Sequence, residues 1–71
     1  MLSNSLRVER PEGEIAGPLG EVAARFPMLS FGSYPFIDNG LLGAHVVTRG
    51  TDAAMLADGV AALKSLFPEA R

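Results

Sequence analysis

His45 is the one histidine of the sequence, and it is the side chain whose ordinary pKa lies near neutrality. Any acid–base chemistry would start there, with His45 as a base or a ligand-contacting group beside Tyr34. No partner can be placed for it, so a surface histidine stacked on its cross-strand neighbour is the better reading. Ser30, Ser33 and Thr48 offer hydroxyls, but a hydroxyl without a base is a poor nucleophile, and no histidine–acid pair can be assigned to any of them. The acids Glu9, Glu12, Glu14, Glu21, Asp38, Asp52, Asp58 and Glu69 are spread over turns, caps and helix faces. None forms the tight pair that a divalent cation or an acid/base couple needs. With no cysteine and a single histidine, a zinc site is not expected. Gly13, Gly17 and Gly20 lack the spacing of a phosphate-cradling loop. The chain by itself is therefore expected to hold no catalytic residues, no metal and no cofactor.

Composition points to a binding role. The chain has 71 residues, 48% of them hydrophobic, and a formal charge of −2. A domain this short buries only about 60% of its unfolded surface and gains much from packing on another domain or another copy of itself. Six basic residues are scattered along an acidic chain, which argues against nucleic acid as a partner. No apolar run approaches the ~20 residues of a membrane span. The segment Met1-Leu2-Ser3-Asn4-Ser5 lacks the basic and apolar regions of a signal peptide, so the cytoplasm is the expected location.

The elements follow from hydrophobic period. Leu6-Arg7-Val8-Glu9-Arg10 alternates like a half-buried strand, with Leu6 and Val8 inward and Arg7 and Glu9 toward solvent. Ile15, Leu19, Val22 and Phe26 stack on one helical face, which predicts a helix over 14–26. Pro18 is expected in its weak first turn, where a proline is tolerated. Met28 to Ile37 and Leu42 to Arg49 read as a hairpin around Asn39-Gly40, a pair that favours a type I′ turn. A two-residue loop there pairs Ile37 with Leu42, Tyr34 with His45, Ser33 with Val46, Phe31 with Thr48 and Ser30 with Arg49. Pro35 weakens this register near the turn. Thr51 or Asp52 caps a second helix over 52–67, whose stripe is Leu56, Val60, Leu63 and Phe67.

The order is β-α-β-β-α within one small α+β domain over 1–71. A right-handed crossover and two single-striped helices are satisfied by a two-layer split β-α-β sandwich. Its three-stranded sheet has the order 1-3-2 with both helices on one face, a ferredoxin-like unit without its last strand. The core face then carries Leu29, Phe31, Ile37, Leu42, Ala44 and Val46. The uncovered face brings Tyr34, Phe36, His45 and Val47 together beside Ser30, Gly32 and Arg49. Such a patch on a small chain is a candidate contact surface. Phe36, Ile37, Leu41 and Leu42 at the hairpin tip read equally as contact surface or as local core packing.

Gly32-Ser33-Tyr34-Pro35, set between a helix opening Glu14-Ile15-Ala16 and Gly50-Thr51-Asp52 before a final helix, carries a family resemblance. The chain resembles the small C-terminal subdomain of molybdopterin-binding-like proteins, those related to competence/damage-inducible protein A and to the molybdopterin-binding-like part of eukaryotic FAD synthases. The resemblance runs from about Leu6 to Phe67. It implies an accessory or interaction subdomain, non-catalytic alone, whose partner is the larger α/β domain of a parent protein or a second copy of itself. Molybdopterin or a nucleotide would belong to a full-length relative, on a glycine-rich loop that nothing here matches. Only Gly32-Ser33-Tyr34-Pro35 transfers, as a turn contacting the larger domain or the edge of a ligand. The alternatives are a fragment of a nucleotide pyrophosphatase-type enzyme in which Tyr34 or His45 lines the substrate site, and a free-standing dimeric ligand-binding regulatory module.

Overall fold

The computed structural model describes residues 2–71. Its elements are β1 (Leu2–Val8), α1 (Glu12–Arg25), β2 (Ser30–Asp38), β3 (Leu41–Gly50) and α2 (Ala53–Leu66). The strands form one sheet in the order β1-β3-β2, and β3 is antiparallel to both neighbours. The fold is the α+β split β-α-β sandwich expected from the order of elements.

Local chemistry accounts for the hairpin. Asn39 and Gly40 both have positive φ, 53° and 82°, which a two-residue type I′ loop demands. The loop closes on Asp38 and Leu41, and the ladder runs through Tyr34 opposite His45 to Ser30 opposite Arg49, as the turn predicts. Pro35 stays in the ladder opposite Ala44. It sits on an edge strand, at a position alternating with the hydrogen-bonded pairs, so its missing N–H points away from β3.

Ala44, Val46 and Thr48 of β3 are buried with Leu6 and Val8 of β1. Against them pack Ile15, Leu19 and Val22 of α1, Leu63 of α2, and Phe67 just beyond α2. Asp52 is the N-cap of α2; its carboxylate accepts from the Ala54 and Met55 backbone N–H groups at 2.9 and 3.1 Å, satisfying donors that the helix leaves free.

The fold departs from sequence expectation in four places. β1 runs over Leu2–Val8 instead of 6–10, because Leu2 to Ser5 are held by pairing with Val47 to Gly50, a long-range register that local alternation does not carry. The α1 helix begins at Glu12 with Pro11 at its cap, which places Pro18 inside the helix. Pro18 therefore removes an intrahelical hydrogen bond to Glu14, where a first-turn proline would have removed none. In α2 the stripe is rotated: Gly59 is buried while Leu56 and Val60 are half-buried. A Cβ on Gly59 would lie 2.6 Å from Leu29 Cδ1, so the Leu29 side chain occupies the space that the bare glycine leaves. Ile37 and Leu42 share the parity of the core face yet are 73% and 49% exposed, because the hairpin projects beyond the helices.

Chain closure adds contacts that no local pattern announces. After α2 the backbone returns to β1, where Arg7 N–H donates to Arg71 O at 2.8 Å and Arg71 N–H donates to Arg7 O at 3.1 Å. Arg10 also grips Glu69 through both guanidinium edges, Nε to Oε1 and Nη2 to Oε2. The hydrogen bond from Arg10, then one from the Glu69 backbone, and least the charge of Arg10 hold the Glu69 carboxyl below the usual carboxylate range.

Candidate contact surface

The helices cover one sheet face and leave the other bare. On the bare face, strand parity gathers Arg7 of β1, His45 and Val47 of β3, and Tyr34 and Phe36 of β2. Arg7 lies opposite His45, and His45 opposite Tyr34. The Phe36 ring tilts 39° against His45 at a centroid separation of 4.9 Å, within the separation at which aromatic rings interact. The Arg7 guanidinium stands 4.3 Å above the centroid of the same ring, within cation–π reach.

Gly43 makes this stack possible. It is opposite Phe36, and the ring lies across the space that a side chain at 43 would fill: a Cβ there would come 2.4 Å from Phe36 Cζ and 2.7 Å from the Val8 carbonyl oxygen. The ring thus spans β3 to meet Arg7 on the far strand. Arg7 is further held by Asp38 at 3.2 Å and Glu9 at 3.7 Å. Gly32 gives room in the same way to Tyr34, whose ring carbon Cε2 sits 3.6 Å from a Cβ built at 32. Tyr34 remains 52% exposed and borders a small dent of about 80 Å³ with Gly32, Val47 and Arg49.

Gly32-Ser33-Tyr34-Pro35, expected as a turn, lies instead within strand β2, because the Asn39-Gly40 loop keeps all four residues paired with β3; Ser33 and Pro35 point to the opposite face by the same parity. The Ser33 hydroxyl donates to Glu12 Oε1 at 3.4 Å, a contact with the start of α1. Pro35 and Phe36 line an open groove of about 560 Å³ with Pro11, Glu12, Ile37 and Leu42. The bare face therefore continues, through Phe36, onto an apolar hairpin tip where Ile37, Leu41 and Leu42 are exposed. That exposure is at odds with local core packing at the tip.

Sequence reasoning placed Tyr34, Phe36, His45 and Val47 together and missed Arg7, which it assigned to solvent. The Asn39-Gly40 turn sets the β2–β3 register, but nothing local sets β1 against β3. The one signal available was Gly43, a glycine opposite an aromatic residue in a strand, which marks a close approach. Among the described residues no group of three or more His, Asp or Glu side chains gathers to hold a metal ion, and no helix is long and apolar enough to cross a membrane.

A family model described as "FAD synthase, middle domain" matches residues 1–71. The chain belongs to that family. The match lies with the middle domain of FAD synthase, a family related to but distinct from the molybdopterin-binding-like proteins of the sequence resemblance. No curated protein and no solved structure matches the chain.

Proposed function

We propose that this domain is a non-catalytic docking module, which uses its bare sheet face to hold a larger α/β domain of the molybdopterin-binding-like type found with FAD synthases. The observation that carries the reading is the Arg7–Phe36–His45 stack beside exposed Tyr34, on a face no helix covers. Interfaces are enriched in aromatic residues and arginine, and a few central ones dominate binding. Here the aromatic rings and the guanidinium are already ordered before docking, so little side-chain freedom remains to be lost on association. The exposed hairpin tip extends the same surface. Chemistry on a nucleotide or pterin would belong to the larger domain.

Titrating the isotopically labelled chain with the molybdopterin-binding-like domain of an FAD synthase tests the reading. Shift changes should concentrate on Tyr34, Phe36, His45 and Val47, and Tyr34→Arg should weaken binding at least about tenfold, as expected of a central aromatic residue. Changes centred instead on the outer helix faces around Glu21 and Asp58 would refute it. The isolated chain should also hydrolyse neither ADP-ribose nor FAD; turnover that vanishes in His45→Ala would overturn the non-catalytic assignment.

A further inference from the structure

The bare face carries two arginines, and the chain treats them differently. Arg7 is held by Asp38 and Glu9 and lies over the Phe36 ring. Arg49 is exposed at the other end of the same face and forms no ion pair among the described residues. Its cross-strand neighbours are Ser3 on β1 and Ser30 on β2. Those are the positions from which a sheet can set an opposite charge against a guanidinium, and neither serine supplies one.

What surrounds Arg49 is a set of donors. The dent of about 80 Å³ beside it is lined by Ser30, Gly32, Tyr34 and Val47, at a point on β2 where Gly32 has no side chain. The Tyr34 ring leans over that glycine: its hydroxyl oxygen lies 3.6 Å from a Cβ built at 32. The phenol is thereby turned along β2 toward the end that holds Ser30 and Arg49. Guanidinium, phenol and serine hydroxyl all donate hydrogen bonds, and Val47 adds apolar surface. The dent has room for two or three waters at about 30 Å³ each. That is the size of a carboxylate with its methylene, and far below that of a nucleotide.

We infer that the partner docked on this face presents an acidic side chain to Arg49, with its carboxylate seated in the dent between the guanidinium and the Tyr34 hydroxyl. The inference rests on the docking reading above and adds the chemistry of the partner: an aspartate or glutamate flanked by apolar surface that meets Phe36 and Val47. Two parallel N–H···O bonds from a guanidinium fix a carboxylate in direction as well as in place. Closing the interface over the dent removes water and strengthens them. Arg7 is already neutralised within the chain, so Arg49 is the unmatched charge by which the face selects its partner.

Titration of the labelled chain with the molybdopterin-binding-like domain of an FAD synthase, using Arg49→Gln and Arg49→Glu beside the parent, tests this. Arg49→Gln should raise the dissociation constant at least about tenfold, and Arg49→Glu should raise it further. Added salt should weaken binding of the parent more than that of Arg49→Gln. A second arm needs no partner. Acetate, against chloride at equal ionic strength, should shift the Arg49 Nε–H and Tyr34 amide resonances of the isolated chain saturably, and Arg49→Gln should abolish the response. Docking that Tyr34→Arg weakens but both Arg49 substitutions leave unchanged would overturn the inference and leave the docking reading standing. Should the domain not dock at all, the docking reading fails and acetate decides the site: a saturable response upholds a carboxylate site at Arg49, and none overturns it. Tighter binding of inorganic phosphate than of acetate would overturn the choice of a carboxylate.

Discussion

Replacing Gly43 by alanine tests how the bare face is built. The new Cβ would lie 2.4 Å from Phe36 Cζ, 2.9 Å from Cε2 and 2.7 Å from the Val8 carbonyl oxygen. Rotation of Phe36 relieves the first two contacts; the third is to backbone in a central ladder and yields only if β1 moves away from β3. Overpacking of that kind costs about 1–3 kcal/mol. Displacing Phe36 forfeits the His45 contact, about 0.5–1.5 kcal/mol, and the Arg7 contact, about 0.5–1 kcal/mol. The smaller unfolded-state entropy of alanine offsets about 0.5–1 kcal/mol, so the net loss lies within about 1–5 kcal/mol and centres near about 3 kcal/mol. At about 4–8 °C per kcal/mol for a domain of this size, the midpoint of thermal unfolding should fall by about 10 °C or more. Circular dichroism measures the midpoint, and the ring-current shift of the His45 protons reports whether Phe36 has left. Gly32→Ala is the control, since a Cβ there meets the Tyr34 ring at an ordinary 3.6 Å. A Gly43→Ala midpoint within about 3 °C of the parent, with the His45 shifts unchanged, would refute the reasoning.

Gly20 is an exposed helical position where an added Cβ meets nothing within 4 Å, so its alanine substitution should raise stability by about 0.5–1 kcal/mol in denaturant titration. Asp52→Ala removes the carboxylate that accepts from Ala54 and Met55 and should cost about 1 kcal/mol by the same measurement, with unprotected amides in the first turn of α2. Glu69 has its pKa lowered from 4.5, chiefly by the hydrogen bond from Arg10. A depressed folded-state pKa gives stability that is present above the unfolded value and lost as pH falls through the folded one. The parent should therefore exceed Glu69→Gln in midpoint at pH 7, and the gap should close as the pH drops below the unfolded carboxyl value. Both side chains are about one-third exposed, so solvent screens the pair and the gap should be small.

What the sequence disclosed depended on how far apart the interacting residues lie. The β2–β3 ladder was legible to the residue because Asn39-Gly40 determines it locally, and with it came the grouping of Tyr34, Phe36, His45 and Val47. The extent of β1 was not legible. Leu-Ser-Asn-Ser is a poor strand by propensity and is held by β3 residues more than forty positions away, a case of tertiary context overriding local preference. Arg7 was lost from the site for the same reason. The exposure of Ile37 and Leu42 depends on where the helices end relative to the hairpin, and helix stripes alone do not give that alignment. Nor did any local pattern announce the return of Arg71 to Arg7 or of Glu69 to Arg10, since both join chain positions more than fifty residues apart.

The edges of the sheet and its bare face differ in what they present to a neighbour. On β2, Pro35 removes one outward donor at mid-strand, a common way to discourage strand addition. On β1, Arg7 exchanges both of its backbone hydrogen bonds with Arg71. The charges instead sit on the bare face, where Arg7 is engaged by Asp38, Glu9 and the Phe36 ring. A charged, ordered face disfavours indiscriminate self-association and rewards a partner whose own charges are complementary.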